Sequence, residues 1–181
     1  MADNIGVHWF RLDLRLADNP SIENLSKNVA SIMPIYIYDE NQNIGQASKC
    51  WLEKSLKSLN SQLNKLNSRL YIFRGHPEQI INKILQNKSI THVYWNRLYD
   101  EDSISRDKNI KSSLQKNSIL CQSFNGYLLT EPWSIKNKSG SFFKVFTPFW
   151  KTNFELLKNA KLDLGSKKKY NFYNKNINFS L

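Results

Sequence analysis

Five short apolar segments alternate with helix-type segments along the first 124 residues of this 181-residue chain. The short segments are rich in β-branched and aromatic residues, whereas the intervening ones repeat apolar residues at helical spacing. Strands that are separated by helices pair in parallel through right-handed crossovers. The sequence therefore predicts an α/β fold, a doubly wound Rossmann-like domain of five parallel strands with helices on both faces. The predicted strands are Ile5–Phe10, Ala30–Tyr38, Arg69–Phe73, Thr91–Trp95 and Ile119–Phe124, and the predicted helices are Pro20–Lys27, Ala47–Leu66, Pro77–Gln86 and Ser103–Lys116.

One proline, the two cysteines and the longest helix allow more specific predictions. Pro34 lacks an N–H and is expected at an early or edge position of its strand. Cys50 and Cys121 have no metal-ligand spacing and are expected to be small, reduced core residues. The longest helix is expected to bury one apolar face. That face consists of Trp51, Leu52, Leu56, Leu59, Leu63 and Leu66.

The alternation of strand and helix patterns stops in the last fifty residues. They offer one helical candidate, Pro148–Leu157, and residues 133–181 hold ten basic residues against two acidic ones, which supplies +8 of the net charge of +11. We therefore predict a domain at 1–132 followed by a linker-like segment and basic tail at 133–181. The tail is expected to be mobile after about Lys151, and either to be a solvated end or to bind DNA weakly and without sequence preference. No apolar run approaches the roughly 20 residues that span a bilayer, and no secretory signal precedes the first strand, so a cytoplasmic protein is expected.

The first strand leads into a dense run of charge. Two arginines and two aspartates fall within the eight residues 11–18, and Asn19 and Pro20 then provide a helix cap and a first helical residue. Charges at the exit of a buried strand are costly unless they pair with one another or with a ligand. The run is therefore either a paired polar corner that fixes the first βα turn or part of a binding site.

In a doubly wound sheet, ligands bind at the carboxyl ends of the strands, near the switch point. Four loops, 10–15, 38–47, 73–77 and 96–102, are predicted to meet there. They lack the glycine patterns of classical dinucleotide and P-loop sites. They offer aromatic rings together with carboxylates and amides, which suit a flat heteroaromatic ligand, although each ring taken alone is more often core. These residues are Phe10, Tyr38, Trp51, Trp95, Tyr99, Asp39, Glu40, Asn96, Arg97, Asp100 and Glu101.

Five motifs, in order along about 150 residues, resemble the DNA photolyase/cryptochrome family. The run at 9–20 is similar to its opening W-F-R-x-D-L-R-x-x-D-N-P, and residues 45–56 are similar to its G-x-A-S-x-x-W-L-x-x-S-L helix. Residues 93–97 with Arg106 and Asp107 resemble its fourth strand and following helix. Residues 124–133 resemble the close of its first domain, and residues 145–151 the linker into its second.

The resemblance implies an antenna-binding α/β domain that serves light-dependent repair of pyrimidine dimers. The G-x-A-S-x-x-W-L pattern is most similar to branches that use methenyltetrahydrofolate, with 8-hydroxydeazaflavin and FMN as alternatives. In folate-binding members a carboxylate after the fourth strand meets the pterin, which favours Glu101 among three neighbouring acids, unless that acid is only an exposed charge or a helix cap. No catalytic residue and no metal ligand is predicted. The predicted cofactor-binding residues are Phe10, Arg11, Tyr38, Asp39, Gly45, Trp51, Asn96, Arg97, Asp100 and Glu101.

The resemblance also implies what this chain is expected to lack. In the family, a larger helical domain carries FAD and most of the DNA-binding surface, and nothing after Lys151 resembles it. The chain alone is therefore expected to be inactive in repair, and to need a helical FAD-binding partner polypeptide. The linker aromatics, from Phe142 to Trp150, are then expected to form an exposed apolar patch. The alternative is a stand-alone binding or interaction module, or a cryptochrome-like photoreceptor fragment, without repair activity.

Overall fold

The computed structural model describes residues 4–41, 44–86, 89–158 and 169–175. Within them, strands and helices alternate as the sequence predicts, with boundaries that differ by three residues or fewer. A 3₁₀ turn at Pro132–Ser134 follows the last strand. The strands are β1 (Ile5–Phe10), β2 (Ser31–Tyr38), β3 (Tyr71–Arg74), β4 (Ile90–Asn96) and β5 (Leu120–Phe124), and the helices are α1 (Pro20–Ser26), α2 (Gln46–Asn64), α3 (Pro77–Ile84), α4 (Glu101–Lys116) and α5 (Phe146–Lys158).

The five strands form one parallel sheet in the order β3-β2-β1-β4-β5. The chain runs outward from β1 through β2 to β3, and then crosses back to β4 on the other side of β1. This reversal makes the carboxyl ends of β1 and β4 the switch point of the sheet, where Trp9 pairs with Trp95. The predicted Rossmann-like α/β architecture is confirmed.

Side chains alternate between the two faces of the sheet and divide the core in two. Ile5, Val7 and Trp9 of β1 belong to the cluster covered by α3 and α4, whereas Phe10 belongs to the cluster covered by α1 and α2. A Cβ atom on Gly6 would lie only 2.6 Å from the Cδ1 atom of Leu25 on α1. A glycine is needed in β1 because α1 packs this close to the strand.

Pro34 corrects one expectation. It is the fourth of the eight residues of β2, an interior strand, so the expected early or edge position is wrong. The N–H of Ile32 points away from β1 and donates to the carbonyl oxygen of Asn171 at 2.9 Å. Backbone N–H groups alternate in direction along a strand, so the nitrogen of Pro34, two residues later, points to the same side. Pairing with β3 begins only opposite Ile35. The missing N–H of Pro34 therefore costs the sheet no hydrogen bond.

The first two turns of α2 also correct the prediction. Leu59 and Leu63 are buried and Leu52 and Leu56 pack against the core, but Trp51 is 74% exposed. Cys50 is exposed as well and is not a core residue, whereas Cys121 is half-buried, and both are free thiols. The helix contacts the core only from Leu52 onward. The apolar pattern of the sequence begins one residue earlier, at Trp51, where the helix is exposed to solvent. Leu66, after the helix ends, is 45% exposed.

Residues 169–175 return to the sheet and pair with it. Phe172 forms a parallel bridge with Ile32 and is 5% exposed within the α1/α2 side of the core. The hydroxyl of Ser68 donates to the Tyr173 carbonyl at 2.5 Å, and that of Tyr71 donates to the Lys175 carbonyl at 2.8 Å. The expected mobility after Lys151 is therefore wrong for the end of α5 and for 169–175. The rest of that prediction, at 159–168 and 176–181, lies outside the described residues.

The helical candidate near the linker is confirmed as α5, and the aromatic residues around it are largely exposed. Across the four described ranges, the helices are all too short or too polar to cross a membrane.

Phe172 is expected to anchor the returning segment. Replacing Phe172 with Ala should lower the free energy of unfolding by about 3 kcal/mol, because a buried ring is removed from the core. Asn174→Ala is the matched control, since Asn174 offers only its backbone carbonyl to Arg69. Urea unfolding measures both variants, and equal midpoints for the two would contradict the anchoring role.

Candidate functional site

The charged run after β1 folds into a buried polar corner. Asp13 is 4% exposed, and its Oδ1 accepts a hydrogen bond from the backbone N–H of Arg11 at 3.0 Å. Its Oδ2 accepts from the amide nitrogens of Asn96, at 2.5 Å, and of Asn19, at 3.3 Å. Asn19 also caps α1 through the N–H of Ile22. The paired polar corner is therefore present, and it ties the β1–α1 turn to the end of β4.

The guanidinium of Arg11 forms a second buried network. It donates two hydrogen bonds of 2.9 Å to the carboxylate of Asp107, and its Nε donates to the carbonyl of Asn96 at 3.1 Å. The indole N–H of Trp95 also donates to Asp107, at 2.9 Å, and the guanidinium carbon lies 5.0 Å from the ring centre of Trp9. Burial lowers the pKa of Arg11 and the charge of Asp107 opposes that effect. The ion pair thus holds the Arg11 charge inside the protein.

Asp107 is a central residue that the sequence analysis did not identify as part of a site. It lies on the inward face of α4 with Ser103, Ile110 and Leu114, all of them buried. The signal was present in the sequence, because a carboxylate on the apolar face of a helix requires a buried partner.

A cavity of about 720 Å³ opens beside these networks at the carboxyl edge of the sheet. Three carboxylates in its wall, from Asp39, Asp100 and Asp102, outnumber the guanidinium groups of Arg11 and Arg106. This acidic cavity is lined by Trp9, Phe10, Arg11, Leu12, Tyr36, Ile37, Asp39, Asn41, Ile44, His76, Pro77, Leu98, Asp100, Asp102, Ser103 and Arg106.

Asp100 lines the acidic cavity and also caps α4. Burial by itself would raise the pKa of Asp100, but hydrogen bonds from the backbone and hydroxyl of Ser103 outweigh it, so that its pKa is lowered. Its Oδ1 accepts from the N–H of Ser103 at 2.8 Å and caps α4. Asp100 is therefore an ionised acceptor fixed in the wall by the helix that it caps.

A second cavity, of about 900 Å³, adjoins the first under α2. The two share Arg11, Leu12, Tyr36 and Ile44. Lys54 and Arg15 give the second cavity a basic wall, and the exposed ring of Trp51 lies at its rim. This basic cavity is lined by Arg11, Leu12, Asp13, Leu14, Arg15, Tyr36, Ile44, Ala47, Ser48, Trp51, Leu52, Lys54, Ser55 and Ser58.

The structure brings five of the predicted cofactor-binding residues together. They line one cavity or both, and they are Phe10, Arg11, Asp39, Trp51 and Asp100. Gly45 is the residue before α2 and has open space around it, while Tyr38 packs against the core at the end of β2. Glu101 is exposed in the first turn of α4. The side-chain amide of Asn96 donates to Asp13 and Asn19 within the polar corner.

Arg97 lies in a different cluster, beyond β4. It pairs with the carboxylate of Glu131, which also accepts a hydrogen bond of 2.9 Å from the hydroxyl of Tyr99. Burial and the bond to Glu131 raise the pKa of Tyr99 to about 12. The guanidinium carbon of Arg97 lies 5.6 Å from the ring centre of Trp133. This cluster explains the Glu-Pro-Trp motif structurally, since it fixes the chain that leaves β5 against the end of β4.

The chain belongs to the DNA photolyase family, whose model matches residues 6–164. The deoxyribodipyrimidine photo-lyase of Agrobacterium fabrum is 36% identical over 146 residues, which cover 80% of this chain and 30% of that protein. Cryptochrome-2 of Arabidopsis thaliana is 36% identical over 154 residues, which cover 82% of this chain and 25% of that protein. The chain spans about a third or less of these relatives, and the matched part is their N-terminal domain, as predicted.

Solved structures agree with this assignment. The crystal structure of a bacterial class III photolyase from Agrobacterium tumefaciens matches with a TM-score of 0.80 and 33% identity, over 89% of this chain and 33% of that one. An archaeal photolyase from Sulfolobus tokodaii, which was solved with two FAD molecules, matches with a TM-score of 0.71 over 93% of this chain and 37% of that one. Its identity is 24%, so this likeness concerns the fold alone.

No cluster of three or more His, Cys, Asp or Glu side chains that could hold a metal ion occurs in the described part of the chain. The candidate site is the pair of adjoining cavities, whose walls offer carboxylates, guanidinium groups and aromatic rings.

The Arg11–Asp107 pair is expected to be essential for stability. Asp107→Asn should lower the free energy of unfolding by about 3–5 kcal/mol, because it leaves the Arg11 charge buried without a counter-charge. Asp18→Asn is the control, since Asp18 pairs with Arg15 at 3.8 Å on the surface and should change stability by less than about 1 kcal/mol. Chemical denaturation of both variants measures the difference, and a similar small loss in each would refute it.

His8 is expected to make the fold sensitive to acid. Its ring is fully buried, its Nδ1 lies 2.9 Å from the Ser21 hydroxyl, and burial lowers the pKa of His8 to about 4. Below about pH 6.5 the unfolded chain binds a proton at His8 that the folded chain rejects, so stability falls until the pH reaches about 4. The fall approaches about 1.4 kcal/mol per pH unit.

Unfolding free energies measured between pH 7 and 4.5 test this effect. His8→Gln should flatten the pH dependence clearly. His92→Gln should flatten it less, since His92 is less deeply buried and its pKa, although also lowered by burial, shifts less. An unchanged slope in His8→Gln would show that other groups cause the acid sensitivity.

Proposed function

We propose that this chain is the light-harvesting domain of a DNA photolyase-like protein. Its two adjoining cavities would hold an antenna chromophore, whose excitation would be passed to FAD in a helical domain that acts in light-dependent repair of pyrimidine dimers. The observation that carries the proposal is the position of both cavities at the switch point of a photolyase-family sheet.

The chemistry of the two walls supports methenyltetrahydrofolate as the antenna. A pterin ring presents amino and ring N–H donors, which suit the carboxylates of Asp100 and Asp102 in the acidic cavity. The benzoyl ring and the anionic glutamate of the same molecule suit Trp51 and Lys54 in the basic cavity. One folate extending from the acidic cavity to the basic one would use both walls. 8-Hydroxydeazaflavin and FMN are the alternative chromophores.

The roles proposed for FAD, for a helical partner domain and for DNA repair rest on membership of the photolyase family. FAD and the repair chemistry are assigned to the helical domain, so this chain is proposed to act with such a domain and not to repair DNA alone. The excess of lysines after residue 132 supports weak, salt-dependent DNA binding without lesion preference.

One observation favours a second candidate function. The identity to Cryptochrome-2 of Arabidopsis thaliana, 36%, equals the identity to the Agrobacterium photo-lyase. A photoreceptor domain without repair activity would use the same chromophore cavities, and a light-dependent repair assay with a helical FAD domain supplied in trans separates the two.

Chromophore binding is the direct test of the proposed function. We expect the purified chain to bind methenyltetrahydrofolate, detected by its absorbance and fluorescence, more tightly than FMN or 8-hydroxydeazaflavin. Trp51→Ala should weaken binding about tenfold, the loss of roughly 1.4 kcal/mol that one stacking contact can supply. Trp133→Ala is the control, because Trp133 is another exposed tryptophan, packed against Arg97 outside the lining of both cavities.

A second pair of variants identifies the carboxylate. Asp100→Asn removes a charge from the acidic cavity and keeps the cap of α4, because Asn and Asp cap helices equally well. We expect it to weaken folate binding, whereas Glu101→Gln in the exposed first turn should not. Absence of a complex with any of the three chromophores would overturn the proposed function.

A further inference from the structure

Helix α5 presents most of its aromatic residues to solvent. Its buried residue is a polar one, Asn153, while Phe146, Trp150 and Phe154 are 70%, 41% and 45% exposed. These three residues repeat every fourth position and therefore form one stripe along the helix, here named the α5 stripe. An amphipathic helix normally buries such a stripe.

The rings of the α5 stripe form a continuous surface. The ring centres of Phe146 and Trp150 are 6.3 Å apart and the rings are nearly parallel, and those of Trp150 and Phe154 are 5.9 Å apart. The ammonium of Lys158 lies 4.8 Å from the ring centre of Phe154 and extends the ladder with a charge. Large aromatic rings that cluster on an exposed surface are typical of the energetic centre of a protein interface.

Residues next to the α5 stripe also hold the helix in place. The hydroxyl of Thr130 donates to the side-chain carbonyl of the buried Asn153 at 2.6 Å. The ring of Phe149 contacts that of Phe143, with centres 6.3 Å apart. The helix is thus fixed to the chain that leaves β5, and a partner would meet a preformed surface, which lowers the entropic cost of binding.

The charge around the stripe selects the partner. Residues 133–158 contain five lysines and one acidic residue, Glu155. Lys158 already pairs with Glu155 at 2.9 Å, so the excess positive charge beside the stripe comes from Lys151 in α5 and from Lys144 just before it. A second copy of this chain, with the same net charge of +11, would be repelled. A partner that supplies carboxylates beside an apolar stripe is complementary.

We propose that the α5 stripe is the docking surface for an amphipathic helix on the surface of another protein domain. The apolar stripe of that helix is flanked by Asp and Glu side chains. The inference rests on the proposed function only in that a helical FAD-bearing domain is the expected source of this helix. The aromatic ridge of α5 packs along the grooves of the partner helix, as ridges do between helices of globular proteins.

Two designed peptides of about three heptads test the proposal. Both carry Leu at positions a and d, and they differ in having Glu or Lys at positions e and g. Fluorescence anisotropy of the labelled peptides measures their binding to the full chain. We expect the Glu peptide to bind about tenfold or more tightly than the Lys peptide, and this difference to shrink as salt is added.

Variants of the chain locate the surface. The double variant Phe146→Ala/Trp150→Ala should lose about tenfold or more in affinity for the Glu peptide, as expected when hot-spot rings are truncated. Ile72→Ala, which removes an exposed apolar side chain on β3, should bind like the parent chain. Since all of these side chains are exposed, the variants should keep the parent's unfolding midpoint and its methenyltetrahydrofolate binding.

Several results would overturn the inference. These are no binding of either peptide, equal binding of both, or full affinity in the double variant. Sedimentation that shows a dimer of the parent chain, lost in the double variant, would assign the stripe to a second copy instead. Displacement of the Glu peptide by oligothymidine would assign it to single-stranded nucleic acid. Chromophore binding measured on the same samples is independent of these outcomes, so the proposed function is tested separately.

Discussion

The buried pair of Arg11 and Asp107 is the interaction on which the rest of the structure depends. It joins the end of β1 to α4, and the same guanidinium donates to the carbonyl of Asn96 at the end of β4. Two charges are stable in this interior only because Asp107 receives hydrogen bonds from both Arg11 and Trp95. The pair therefore fixes the three elements that meet at the switch point, and its Arg11 lines both cavities.

The opposite character of the two cavities follows from that arrangement. Because Asp107 already neutralises Arg11, the charge of the acidic cavity is set by the carboxylates at the start of α4 and after β2, which outnumber the one remaining guanidinium of Arg106. The basic cavity shares Leu12 with the acidic one and is lined in addition by Lys54 of α2 and by Arg15. A ligand with a donor-rich head and an anionic tail would thus meet charges that belong to different elements of the fold.

The sequence predicted the sheet and its helices because their signals are local. Strand β1 is buried along its whole length and is apolar except for His8, and Asn19 and Pro20 mark the start of α1. Exposure was harder to predict because it depends on what covers an element. Trp51 shares the apolar spacing of Leu59, yet α2 reaches the core only from Leu52 onward. The docking of Phe172 on β2 has no periodic signal, since it rests on two backbone hydrogen bonds and one buried ring.

Strand β4 connects the two cavities with the α5 stripe. Trp95 and Asn96 hold the Arg11 network at the cavity wall, and the next residue, Arg97, holds Glu131 of the segment that leads towards α5. Thr130, beside Glu131, then fixes α5 through Asn153. Both surfaces are therefore fixed to consecutive residues at the end of one strand and just after it, and that strand is hydrogen-bonded on both sides. A chromophore in the cavities and a helix on the α5 stripe would be held at a fixed distance and orientation, which is the geometric requirement for passing excitation from one protein surface to another.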